Sequence, residues 1–144
     1  MTRASLPELP CTCANLRRAA RAVTRLYNQA LRPDGIEITQ FTLLMALNIT
    51  GETSQGELAA LLALDSTTLT RMLSLVRKRR WIHIRQGQDR RQRLVDLTAA
   101  GREKLQQSTP RWIRAQEDLQ RAVGRETFAQ LGGLLAATAA CSVS

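Results

Sequence analysis

Aromatic residues make up only 3% of this 144-residue chain, and there is a single histidine. Leu, Ala and Arg dominate instead, a mixture that favours helices over strands. A mainly α fold is therefore expected. So few aromatics also leave little of the stacking surface on which RNA readers lay bases, and Trp81 and Trp112 stand in apolar contexts that suit a core or an interface. Catalysis has little to work with. His83 alternates along a predicted strand, no Gly-rich phosphate loop occurs, and Asp89 has no second carboxylate close in sequence to share acid–base work. No enzyme, catalytic residue, metal or cofactor is expected. Three cysteines, Cys11, Cys13 and Cys141, are too few and odd in number for a disulfide framework, and Cys11-x-Cys13 lacks the spacing of a zinc site. No apolar run approaches the ~18 residues of a membrane span, and the N-terminus lacks the apolar core of a signal peptide. A cytoplasmic protein with no membrane partner is expected.

Present in their place are 44% hydrophobic residues, enough for one domain to bury its own core, and a strong positive charge. Twenty-one Lys and Arg against twelve Asp and Glu give +9, which draws polyanions such as nucleic acid. The charge is concentrated. Arg71, Arg77, Lys78, Arg79, Arg80, Arg85, Arg90, Arg91 and Arg93 share one stretch in which Asp89 is the sole acid. A solvated helix face ordinarily mixes both signs, and this one does not.

The order of elements gives that stretch a shape. An irregular arm over residues 1–10 precedes a helix on which Leu16, Ala19, Ala20, Val23, Leu26, Tyr27, Ala30 and Leu31 recur at helical spacing. It ends near Arg32, and Asp34-Gly35 turns the chain. Thr39 is the expected cap of a second helix carrying Phe41, Leu44, Leu47 and Ile49, closed by Gly51. Ser54 and Glu57 have the capping-box spacing ahead of Leu58, Ala59, Leu61 and Leu62. After a short Ala63-Leu64 turn, Asp65 caps a fourth helix to about Arg79, with Leu69, Met72, Leu73 and Val76 on one stripe. Its other face holds Ser66, Thr67, Thr68, Thr70 and Arg71. Residues 81–85 and 93–97 read as two strands around a polar tip over 86–92, a β-hairpin wing. Thr98 caps the next helix, which Pro110 is expected to kink or break. A last helix from about Arg125 brings Phe128, Leu131, Leu134 and Leu135 to one side.

Two helices joined by a tight turn, the second opening on small hydroxyl side chains and an arginine, form the geometry that lays a recognition helix in the major groove of DNA. Bulky side chains there would hold the helix axis away from the base edges. Ser and Thr hydroxyls bond bases or phosphates, Thr methyls meet thymine, and Arg71 is placed for a bidentate contact to guanine. An ordinary helical hairpin has the same periodicity. The hairpin that follows separates the two readings, because Arg90 and Arg91 at its tip suit a narrow minor groove. The expected contact set is Ser54, Gln55, Ser66, Thr67, Thr68, Thr70, Arg71, Arg77, Asp89, Arg90 and Arg91.

The chain resembles the multiple-antibiotic-resistance (MarR) regulators in Leu58-Ala59, Leu62, the run Asp65 to Arg71, Trp81-Ile82, Asp89-Arg90-Arg91 and Leu97-Thr98-Ala99-Ala100-Gly101. The resemblance implies a winged helix-turn-helix lobe over 39–98, with helices at 11–32 and 99–144 forming the interface of a homodimer. It further implies that two recognition helices read a pseudo-palindrome in double-stranded DNA, with half-sites ~10 bp apart. Arg91 would then be the minor-groove finger, held by Asp89. It also implies a repressor released by a signal, either a phenolic or other small anionic effector or, through Cys11 and Cys13 near Arg17 and Arg18, an oxidant. Arg17, Arg18 and Arg21 are candidates to meet such an anion. One departure is Arg80, which stands where the family usually has Gly to end the recognition helix in a left-handed residue. The rival reading is a basic interaction module that binds RNA or an acidic protein partner without regulating any gene.

Overall fold

The computed structural model describes residues 6–141. Helix α1 (Thr12–Leu31) passes through a 3-10 turn (Arg32–Asp34) to α2 (Ile38–Thr50), a two-residue strand β1 (Thr53–Ser54), α3 (Gln55–Leu62) and α4 (Ser66–Lys78). Strands β2 (Ile82–Gln86) and β3 (Arg93–Leu97) form the hairpin, and α5 (Ala99–Val123) and α6 (Arg125–Ala140) complete the chain. The sheet is antiparallel with order β1-β3-β2. Its register sets Thr53 against Val95 and Ile84 against Val95, so this row faces the core while Ser54, Leu94 and Arg85 share the outer face.

One core joins these pieces. Leu43, Leu44 and Leu47 of α2, Leu58 of α3, Leu69, Leu73 and Val76 of α4, and Val95 of β3 are all buried. Phe41 stacks on Trp112 of α5 at 5.6 Å between ring centroids, which ties α2 to the long helix. Burying each such side chain is worth roughly 1.5–3 kcal/mol, and this stripe rather than local propensity holds α4 in place. Ile49 of α2 and Leu61 of α3 stay outside this core, 76% and 59% exposed.

Helix ends differ from expectation in instructive places. Glu37, not Thr39, caps α2: it is extended, and the Gln40 side chain accepts its amide at 3.1 Å in a reciprocal box. Ser54 and Glu57 form the box expected for α3, and Asp65 and Thr98 cap α4 and α5. The turn between α3 and α4 is closed by the Leu64 amide donating to Ala59 O at 2.9 Å, with Ala63 left-handed (φ +52°). Arg80 is left-handed as well (φ +62°). Its amide donates to Arg77 O and that of Trp81 to Val76 O, so Trp81 still belongs to the closure of α4 and the strand begins one residue later than its sequence pattern indicates. Pro110 does not break α5, which runs unbroken over 25 residues. Gln106, whose carbonyl loses its partner at Pro110, is exposed, so solvent can take the place of that bond.

Candidate nucleic-acid interface

The outward face of α4 carries Ser66, Thr67, Thr68, Thr70 and Arg71, all exposed. Two of the hydroxyls are already engaged. Thr68 Oγ1 donates to Asp65 Oδ2 at 2.9 Å and Thr70 Oγ1 donates to Ser66 O at 2.7 Å, so Thr68 and Thr70 offer methyl groups and acceptor lone pairs. Ser66, Thr67 and Arg71 form no side-chain hydrogen bond or ion pair among the described residues. The Asp65 carboxylate also accepts the Thr68 amide at 2.8 Å, and these bonds hold its pKa below the ordinary carboxylate value.

The wing tip is a built turn. The Gly87 amide donates to Gln92 O at 2.8 Å and the Gln92 amide to Asp89 O at 2.9 Å. Gln86 Nε2 donates to Arg90 O at 3.1 Å. Asp89 was expected to brace an arginine side chain, but its Oδ1 accepts the backbone amide of Arg91 at 3.0 Å. No ion pair joins Asp89 to Arg90 or Arg91 among the described residues. An aspartate closing its own turn in this way fixes the backbone and leaves both guanidinium groups exposed.

Two hollows bring the helix pair and the wing together. Ser54, Gln55 and Gly56 at the start of α3 share one of about 530 Å³ with Asp89, Arg91, Gln92 and Arg93. Arg77 of α4 shares another of about 290 Å³ with Arg85, Arg90 and Arg93. Residues far apart in the sequence thus form one cationic face. Arg85 and Arg93 were not among the expected contacts. The signal for Arg85 was the alternation of the strands, which sets it on the outer face beside Glu52. Its Nε donates to Glu52 Oε2 at 2.8 Å, lowering the pKa of Glu52 and raising that of Arg85. Glu57 is lowered by the Thr53 hydroxyl and then the Ser54 amide.

Cys11, the N-cap of α1, and Cys13 are both exposed, as is Cys141. The arm ahead of them is fastened by Asn15, whose Oδ1 accepts the Leu9 amide at 3.1 Å and whose Nδ2 donates to Leu9 O at 2.8 Å. Arg18 donates to Pro7 O at 3.0 Å. His83 is exposed on the wing. No helix among the described residues is long and apolar enough to cross a membrane by itself.

A helix-turn-helix followed by a basic-tipped β-hairpin, which pairs with the short strand ahead of the helices in a three-stranded sheet, defines a winged-helix protein. Comparison with known proteins gives the family. The MarR family profile matches residues 34–92. The transcriptional regulator MosR of M. tuberculosis, solved in complex with DNA, is 36% identical over 89% of this chain and 98% of its own, with a TM-score of 0.75. A MarR variant from E. coli complexed with operator DNA is 25% identical over 88% and 91% of the two chains, with a TM-score of 0.78. The uncharacterized HTH-type transcriptional regulator YwoH of Bacillus subtilis is 28% identical over 72% of this chain and 76% of its own. The chain belongs to the MarR family of winged helix-turn-helix transcriptional regulators.

Proposed function

We propose that the chain acts as a homodimeric repressor in the cytoplasm, reading a pseudo-palindromic operator with α4 in the major groove and the wing tip in the minor groove. One observation carries this reading: Ser54, Gln55 and Arg77, expected from the helix pair, meet Asp89, Arg90 and Arg91, expected from the wing, around two hollows, while Ser66, Thr67, Thr68, Thr70 and Arg71 line neither and stand exposed on α4. In this reading Ser66, Thr67 and Arg71 address base edges and Arg91 enters the minor groove. Ser54, Gln55, Arg77 and Arg90 meet the backbone, Thr68 and Thr70 present methyls, and Asp89 shapes the tip. The DNA-bound relatives support it.

Residues 39–98 serve as the reading lobe, and α1, α5 and α6 as the dimer frame. No residue of α6 is buried in the single chain, and Leu134 and Leu135 stand open on it, which supports a second copy as their cover. Release by an effector has two supports of different kinds. A hollow of about 490 Å³ where α1 meets α2 is lined by Arg25, Arg32 and Arg79 as well as Glu37, a setting for a small phenolic or anionic compound. The exposed Cys11 and Cys13 offer accessible thiols to an oxidant.

The test is binding to an operator and to single-base variants of it. Arg71→Ala is expected to relax base preference, a good bidentate contact being worth about 1–3 kcal/mol of discrimination. Arg91→Ala is expected to weaken binding with a smaller loss of discrimination, since the minor-groove code is degenerate. Equal loss of base preference in both variants would contradict the assignment.

A further inference from the structure

The segment that ends the recognition helix is gripped from several sides. After α4 the chain passes through left-handed Arg80 to Trp81, whose side chain is only 6% exposed. The first turn of α5 holds this backbone directly. The Thr98 amide donates to Trp81 O at 3.0 Å and Thr98 Oγ1 to Arg80 O at 2.7 Å. Gly101 lies so close that a Cβ there would stand 2.0 Å from Trp81 O.

The ring of Trp81 is held by two cations. Arg79 carries its guanidinium 5.1 Å from the ring centroid, and Lys104 of α5 its ammonium 5.6 Å from it, both within the range of cation–π attraction. The same two groups donate to consecutive carbonyls of the turn after α1. Arg79 reaches Gly35 O at 3.1 Å and Lys104 reaches Asp34 O at 2.8 Å. The Asp34 carboxylate, almost buried, accepts Arg111 Nε at 3.2 Å and leaves its second oxygen without a partner. The recognition helix, the root of the wing, α5 and the turn after α1 therefore converge on one indole.

We propose that this joint sets the angle between the recognition helix and the dimer frame, and through it the half-site spacing the protein accepts, with Arg79 and Lys104 as positioning residues. The inference rests on the dimeric reading above. Lever arithmetic makes it consequential. Helix α4 has 13 residues and at 1.5 Å per residue is about 20 Å long, so a rotation of about 10° at its gripped end moves Ser66 and Thr67 by about 3.5 Å. That displacement is close to the ~3.4 Å step between base pairs. A loose joint would blur spacing by a base pair without altering the side chains that read bases.

The experiment measures affinity for duplexes carrying two identical half-sites at centre-to-centre distances of about 8–13 bp, alongside melting temperature. The wild type is expected to prefer one spacing by about tenfold over its neighbours. Lys104→Met keeps the aliphatic stem but removes the charge and its bond, and should reduce that preference to about threefold or less. Single-half-site base preference should not change. Arg79→Met should act alike from the other side of the ring and serves if Lys104→Met does not fold. Lys104→Arg, able both to stack and to bond a carbonyl, should restore the spacing profile. Variants that lose affinity equally at every spacing, or keep the wild-type profile, would overturn the joint alone. A wild type indifferent to spacing would remove the dimeric reading and the joint together.

Discussion

The winged lobe and the last helix are built on opposite terms. The lobe closes its own core: Leu44, Leu58, Leu73 and Val95 are fully buried within one chain, and its helix starts are capped by Glu37, Ser54 and Asp65. Helix α6 half-buries Phe128 and Leu131, buries no residue fully, and leaves Leu134 at 62% and Leu135 at 46% exposure. Both segments are rich in Leu and Ala, so composition does not distinguish them; what differs is how far this chain covers their apolar faces. The lobe can be understood from one copy, whereas the open apolar face of α6 finds a cover only in the dimeric reading proposed above.

The largest effect is expected at the seam between the lobe and α5. Gly101→Ala places a methyl group into the Trp81 carbonyl, where backbone must move, and a loss of about 3 kcal/mol or more is expected in urea unfolding. Retained stability would mean that α5 is not docked as described. Within the lobe, Leu73→Ala should cost about 2–5 kcal/mol at any protein concentration. Leu134→Asp with Leu135→Asp should instead leave the lobe folded while shifting the proposed dimer toward monomer, read by sedimentation at several concentrations. A soluble dimer after deletion of residues 125–144 would contradict the role given to the frame.

Smaller effects probe the ends of α4. Arg80 sits at φ +62°, a conformation costly to a residue with Cβ, so Arg80→Gly should raise stability by about 1 kcal/mol. The caps set an acid limit. Glu57 and Asp65 are held below their ordinary values of 4.5 and 3.8 because hydrogen bonds favour the charged form. Their contribution is thus present above those values and lost as pH falls through the lowered ones. A thermal melt followed from pH 6 downward should show the lobe weakening below about pH 4.5, and Glu57→Gln should flatten part of that fall.

The lobe was also the part most legible in the sequence. Capping chemistry marked the starts of α3, α4 and α5, and the 3.6-residue period picked out Leu69, Leu73 and Val76, because these signals are local. Thr39 misled because its type suits a cap, while the actual cap, Glu37, relies on the reciprocal reach of Gln40. Strand β1 has two residues and no periodicity to detect. Arg93 at the hollow, the Glu52–Arg85 pair and the grip on Trp81 depend on which strands and helices meet, which no local pattern encodes. Pro110 shows the converse, a strong local stop signal through which a helix packed on its neighbours continues.

Whether a dimer of this chain reads sequence is decided by selecting bound duplexes from a random pool at two salt concentrations. An inverted repeat with half-sites ~10 bp apart is expected, still enriched when salt has removed non-specific binding. Salt-sensitive binding with no enriched sequence would contradict it, leaving a cation that holds DNA without reading it.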